Sequence, residues 1–414
     1  MNYIPRTLEK AVRRAAAEFP VLLLAGPRQA GKTTLLRHLA GTERRYVDLD
    51  DPWARQLAQE DPALFVRRHP PPVLIDEVQH APQLLPHVQL DLGPRPRPGL
   101  VWLTSSHWPR GEAPAADAFP GRFARLQLLG LSAVERRLGA DAALGQARPQ
   151  GPSASPAEDL QEPGQERVPD DEAGVFAAIW RGAFPALTAV AGEAWMAFYG
   201  DYLQTYLQRD VRDVGGVGDP RRFLRFLRGC AARTGQLLNL SDLARDADIS
   251  VTTATSWVAV LEASHLVYLL PPYPSSVTKR LVKAPKLYVL DTGLCAFLTQ
   301  WHSPATLAAG ALAGALFETH VLIELLKEAW HTGQPAELYY YRDRDGREVD
   351  FVFVADGQLH AVEARAAATP RGEWARVFGP LRRLEHPFAG GCVACLTREA
   401  LPLAEGITAV PVAG

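Results

Sequence analysis

The sequence predicts an α/β chain: a parallel-sheet domain, then a helical, winged-helix-like region, then a second α/β region. Three stretches carry that expectation: GPRQAGKTT (Gly26–Thr34), PPVLIDEVQ (Pro71–Gln79) and the strand-like LYYYRDRDGREVDFVFV (Leu338–Val354).

The first stretch fits the pattern G-x-x-x-x-G-K-[ST] at Gly26, Gly31, Lys32 and Thr33. VLLLA (Val21–Ala25) before it reads as a buried parallel strand and TLLRHLA after it as a helix, which is the context the pattern requires. Glycine freedom lets the loop through Gly26, Pro27, Arg28, Gln29, Ala30 and Gly31 wrap with its N–H groups toward phosphate oxygens. Lys32 then brings a cation to the β- and γ-phosphates, and Thr33, beside Thr34, offers a hydroxyl to Mg²⁺. A chance glycine turn ahead of Lys-Thr is the bland alternative. The second stretch argues against it.

In that stretch Val73, Leu74 and Ile75 form a short apolar strand, and Asp76 and Glu77 follow at its carboxyl end, where ligands bind in open α/β sheets. Asp76 is expected to hold the Mg²⁺ shell. Glu77 is expected to orient and polarise the attacking water, so the pair implies hydrolysis as well as binding.

With 414 residues and 47% hydrophobic content, two or three domains with ample cores are expected. A net charge of −2 gives no global pull toward nucleic acid or membrane. The apolar runs are too short to span a bilayer, and MNYIPRTLEKAVRRAAAEFP reads as an amphipathic helix packed on the core instead of an apolar signal, so a cytoplasmic protein is expected. Cys230, Cys295, Cys392 and Cys395 are too few and scattered for a disulfide framework; Cys392-Val-Ala-Cys395 lies in an apolar run and is read as core.

From Gly139 to Glu172 no aromatic residue occurs and larger aliphatics are rare, so the stretch reads as a linker or disordered insertion, to be cut first by trypsin at Arg148 or Arg167. Beyond it, Ala194–Val211 and Pro220–Ala232 read as helices. Ser241-Asp-Leu-Ala and Ile249-Ser-Val open a helix-turn-helix-like pair that runs into a strand or wing. The second helix of that pair has no Lys, Arg, Asn or Gln between Ser250 and Ser264, so specific base readout there is not expected. Arg221, Arg222, Arg225, Arg228 and Arg233 form a basic stretch that suits phosphates, a solvated face or an interdomain contact.

Near the C-terminal end, Leu338–Val354 reads as two strands joined at Asp345-Gly346, and Gln358–Ala366 as the next. Glu318 on an apolar-periodic helix, Asp350 between Val349 and Phe351, and Glu363 followed by Arg365 are acids in apolar surroundings. Such acids need a shared cation or a basic partner. They are read as a divalent-metal site, active or degenerate.

GPRQAGKTT, YVDLDDP, IDEVQHAP, LTSS, GRFARLQLLGLSAVE, YLQRDV, KAPKLYVLDTGL and YYRDRDGREVDFV occur in this order. On these motifs almost the whole chain outside the linker resembles the bacterial and archaeal AAA-type ATPases that carry a C-terminal domain of unknown function. The resemblance implies ATP and Mg²⁺ as ligands, an AAA+-like core over residues 1–138, a linker or insertion over 139–172, a helical and winged-helix region over 173–275 and a restriction-endonuclease-like domain over 276–414. It also implies Thr104 or Ser105 as a polar sensor of the γ-phosphate and Arg122 as a residue that senses or stabilises transition-state charge. Two departures stand out. Thr104-Ser105-Ser106 replaces the family's Thr-Gly-Ser, and Arg365 stands where a nuclease-like pattern has Lys. Arginine keeps the charge but is no tunable base, so Arg365 is expected to neutralise the acids, and metal-dependent DNA cleavage is not expected. The expected activity is ATP hydrolysis driving a switch in the C-terminal module. The alternatives are a DNA-processing ATPase with a metal-dependent nuclease domain and an ATP-gated interaction module with a degenerate nuclease fold. Whether the partner is DNA or protein, and the oligomeric state, are not legible.

Overall fold

The computed structural model describes residues 3–107, 121–138, 172–189, 194–210, 219–274 and 284–412. The linker expected over 139–172, with Arg148 and Arg167, lies outside them except for Glu172, which opens a helix.

The N-terminal unit runs α1 (Glu9–Glu18), β1 (Val21–Ala25), α2 (Lys32–Ala40), β2 (Arg45–Asp48), α3 (Pro52–Glu60), α4 (Pro62–Arg68), β3 (Val73–Asp76), α5 (Leu84–Leu92), β4 (Val101–Ser105) and β5 (Phe123–Gln127). Asp51 and Asp61 cap α3 and α4 through their side chains, each with proline at the first helical position. The five strands are parallel in the order β2-β3-β4-β1-β5. Both faces are covered, which is why β1 is apolar throughout and fully buried. Val21 and Leu23 point into one core with Ile75 and Leu103; Leu22 and Leu24 point into the other with α1 and α2. This order sets β4 between β1 and β3, so the loops after all three strands converge at one end of the sheet.

The middle elements are α6 (Glu172–Arg181), α7 (Trp195–Thr205) extended by a π-turn through Tyr206–Asp210, α8 (Pro220–Ala232), β6 (Gln236–Leu237), α9 (Leu240–Ala247), α10 (Val251–Ala263), β7 (Val267–Leu270) and β8 (Lys286–Val289). Asn239 caps α9 and Ser250 caps α10. The strands form an antiparallel sheet ordered β6-β8-β7. The boundary expected between 275 and 276 therefore falls inside a sheet: β8 pairs with β7 from Val267↔Val289 to Leu270↔Lys286. Its run KLYV is buried on both faces and needs partners lying upstream. Within the basic stretch, Arg222 pairs with Asp219 and Asp248, and Arg233 with Asp246.

The remainder is α11 (Thr292–Leu298), α12 (Pro304–Ala308), α13 (Ala313–His331), β9 (Tyr339–Arg342), β10 (Glu348–Ala355), β11 (Gln358–Arg365), a run of 3-10 turns (Gly372–Arg383), β12 (Phe388–Cys395), β13 (Leu401–Ala404) and β14 (Ile407–Pro411). The sheet order is β13-β14-β12-β11-β10-β9, antiparallel at both ends and parallel across β11-β12-β14. Glycine at 346, with φ +77°, supplies the left-handed turn before β10. The middle and C-terminal elements share one continuous core, from Phe223 and Trp257 through Leu322 to Phe351 and Leu396. Cys392 and Cys395 are free thiols in β12, and burial pushes the Cys392 thiol up to about 11, as suits a packing residue.

Candidate functional site

The loop after β1 leaves the sheet through Gly26, where a Cβ would stand 2.0 Å from the Leu128 carbonyl oxygen. It enters α2 through Gly31, whose φ of +95° is left-handed. Lys32 and Thr33 thus occupy the first turn of α2, at the positive end of the helix. The Lys32 ammonium donates to the carbonyls of Gly26 (2.9 Å) and Pro27 (3.0 Å) and to Ser106 Oγ (2.9 Å).

Asp76 ends β3 inside a cage of hydroxyls. Thr33 Oγ1 lies 2.9 and 2.8 Å from its two oxygens, Tyr46 OH donates to Oδ2 at 2.9 Å, and Thr104 Oγ1 donates to Oδ1. Burial pushes its carboxyl group up, and these three hydroxyls partly oppose that. Glu77 follows with a left-handed φ of 55°, which turns it out of the strand line. Its backbone N–H donates to Thr104 Oγ1 at 2.9 Å. One carboxylate oxygen accepts from Ser106 Oγ at 2.8 Å and the other from Gln79 Nε2. Burial alone would raise this carboxyl group; the Lys32 and Arg28 charges and the Gln79 and Ser106 hydrogen bonds outweigh it, so Glu77 is held below its ordinary range, ionised at neutral pH. Arg28 reaches Asp50 at 3.6 Å, and Asp50 also meets His80 at 3.1 Å and Arg55 at 3.3 Å.

This arrangement fits a triphosphate and its cation. It presents a glycine-walled loop, a lysine resting on neutral acceptors, a threonine hydroxyl beside a buried aspartate, and an ionised glutamate one residue on. Sequence reasoning missed Tyr46, Gln79, Ser106 and His107. Of these only Ser106 left a signal, as part of Thr-Ser-Ser after an apolar strand. Arg122 requires correction. It precedes β5 level with Pro20, at the opposite end of the sheet, about 15 Å of strand away from the loop. There its guanidinium donates to the carbonyls of Gly93 (3.0 Å) and Pro94 (2.8 Å), so within this chain it touches no phosphate-loop group.

A second set of charged groups gathers between β8, α13, β10 and β11. Glu318, Asp350 and Glu363 lie close together, and Glu318 and Asp350 face an unforeseen cation: Lys286 Nζ, on the middle sheet, lies 3.0 Å from Glu318 and 3.7 Å from Asp350 and also pairs with Glu348. Tyr288 OH donates to Glu318. Arg365 pairs with Glu363 at 2.6 Å and is half exposed, so it neutralises one acid at the rim instead of the whole cluster. Among the described residues no group of three or more His, Cys, Asp or Glu side chains is arranged to hold a metal ion. Lysine at 286 was invisible as a partner because it lies 32 residues or more from each acid it meets, on a different strand and with no sequence pattern linking them.

Three family models match successive parts of the chain: an AAA domain over residues 18–136, a domain of unknown function (DUF8612) over 173–305, and another (DUF4143) over 313–414. Uncharacterized proteins of Mycobacterium bovis and Mycobacterium tuberculosis are each 29% identical over 363 residues, 87% of this chain and 73% of theirs. Among solved structures, a Walker-type ATPase of Pyrococcus abyssi covers 70% of this chain and 94% of its own at 13% identity and a TM-score of 0.45. A signal-transduction ATPase of Pyrococcus horikoshii with a tetratricopeptide-repeat sensor covers 79% and 45% at 14% identity and a TM-score of 0.30. No helix among the described residues is long and apolar enough to cross a membrane. The parallel sheet, the glycine-walled loop and the Asp76-Glu77 pair agree with the match over 18–136: this part of the chain is similar to AAA domains.

Proposed function

We propose that the chain hydrolyses ATP at Lys32, Thr33, Asp76 and Glu77 and uses the cycle to switch the module C-terminal to it. Thr33 and Asp76 would hold Mg²⁺, which when bound supplies charge neutralisation to the phosphates. Lys32 exchanges neutral acceptors for phosphate oxygens, and Glu77 orients the attacking water.

One observation carries the switch reading. The Ala30 carbonyl of the phosphate loop accepts from Arg6 Nη1 at 2.9 Å; buried Arg6 pairs with Glu135 at 3.0 Å; and Glu135 meets His331, the last residue of α13, at 3.4 Å. One turn earlier Lys327 donates to Leu131 O at 2.8 Å, and about one turn before that Glu324 accepts from Ala133 N at 3.0 Å. The same helix carries Glu318 into the Lys286 cluster. A stiff helix thus touches both the segment that props the loop and the centre of the C-terminal module.

The alternation of helices and strands from α8 to β8, helix-strand-helix-helix-strand-strand, supports reading this part as a winged helix. For the C-terminal module the saturated lysine favours a binding role in a nuclease-like fold over cleavage. The experiment is hydrogen exchange of Ala313–His331 with and without Mg-ATP, beside phosphate release. Protection that changes with ATP in the parent but not in Lys32→Ala supports the switch; turnover with unchanged exchange in α13 removes it.

A further inference from the structure

The residues that follow β4 divide their hydrogen bonds unequally. Thr104 Oγ1 is used up between Asp76 and the Glu77 N–H, and Ser105 Oγ lies 2.9 Å from Gln79 Oε1 and also on the His107 carbonyl. Neither hydroxyl named as a γ-phosphate sensor is turned to the loop lysine. Ser106 is: its Oγ accepts from Lys32 and donates to Glu77. His107 comes next, 7% exposed, and its Nε2 is fully buried with no hydrogen-bond partner among the described residues. A buried ring nitrogen left unpaired beside the lysine and the acid of a phosphate site is an expensive feature unless a ligand completes it.

We propose that Ser106 and His107, and not Thr104 and Ser105, are the residues that read the terminal phosphate of the nucleotide, with the neutral His107 ring hydrogen-bonding a γ-phosphate oxygen through Nε2. Burial, reinforced by the Arg28 charge, holds the His107 ring far below its ordinary range, to about 3, so it stays neutral and keeps one N–H. A neutral donor suits this place. Lys32 and Arg28 already supply positive charge, and a second hydrogen-bond donor adds direction to the recognition. Ser106 fits the same task because it loses a donor when Lys32 turns to the phosphates and can then reorient between Glu77 and the incoming oxygen.

This inference rests on the ATPase reading, and its test separates the two. Affinities for Mg-ADP and for the Mg complex of the β,γ-imido analogue of ATP are measured by calorimetry on the full chain, for the parent, His107→Ala, His107→Leu and His107→Gln. His107→Leu keeps the volume where the alanine variant fails to fold, and ADP affinity reports an intact site. The expected result is an approximately tenfold weaker grip on the analogue in the Ala or Leu variant, ADP affinity unchanged, and recovery in His107→Gln, whose amide restores an N–H. Equal losses for both nucleotides, or none for either, overturn the proposal and leave the ATPase reading standing. A parent that binds neither nucleotide sinks that reading and this one with it.

Discussion

Two buried lysines, each among acids, do opposite things in this molecule. Lys32 rests on two backbone carbonyls and a serine hydroxyl, while the nearby acids Asp76 and Glu77 take their hydrogen bonds from hydroxyl and amide groups. Lys286 is held directly by Glu318, Glu348 and Asp350. The difference is one of exchangeability. Lys32 can trade its neutral acceptors for phosphate oxygens while its charge stays near Glu77, which Arg28, Gln79 and Ser106 also support. Lys286 cannot move without uncovering three carboxylates, two of them well buried, and this is how a structural ion cluster behaves.

The sharpest way to break the comparison is to remove each lysine in turn. Lys32→Ala is expected to weaken Mg-ATP binding by roughly a hundredfold or more, because it removes the cation from the phosphates, with the melting temperature little changed. Lys286→Met is expected to do the reverse, destabilising the chain by about 3 kcal/mol, the scale for stranding one side of a buried pair, with Mg-ATP affinity near that of the parent. Calorimetry and thermal unfolding of both variants check this. Equal effects on binding and stability would erase the distinction.

A smaller expected effect comes from pH. Burial and the Asp350 charge push the Glu318 and Glu363 carboxyl groups up, to about 7 and about 8 from an ordinary 4.5. The folded state therefore holds protons that the unfolded chain has released. Their contribution to stability is complete below the unfolded value and is lost progressively as pH rises from about 4.5 to about 8. The melting temperature should fall across that window, and Glu363→Gln should flatten the fall. A parent curve that rises there contradicts the assignment. The smallest effect is expected for Arg365→Ala, whose side chain is half in solvent and pairs with Glu363 at the rim of the cluster. A melting-temperature loss as large as that of Lys286→Met would restore Arg365 as the main counter-ion.

What the sequence disclosed followed from how local each signal was. VLLLA with GPRQAGKTT, and VLID with Glu77, are strand-loop units whose chemistry lies within a few residues, and they stand where the pattern implied. Helix Pro220–Ala232 and the hairpin at Asp345-Gly346 were legible for the same reason: a capped amphipathic run and a glycine turn. Lys286 was not, because its partners come from α13 and β10, and no periodicity links them. The 275/276 boundary failed likewise, since a strand's sheet is chosen by its distant partner. Arg122 was carried over by resemblance, and only the parallel register shows that it sits at the wrong end of the sheet. His107 gave no signal, because its interest lies in a hydrogen bond that is missing.

The central claim, that Lys32 and Glu77 form a hydrolytic site, is tested most directly by phosphate release from Mg-ATP by the purified chain and by Glu77→Gln. The account expects steady turnover by the parent and, in the variant, nucleotide binding that persists while release slows by roughly a hundredfold or more. Turnover by Glu77→Gln at the parent's rate, or no turnover by a parent that binds ATP, would contradict it.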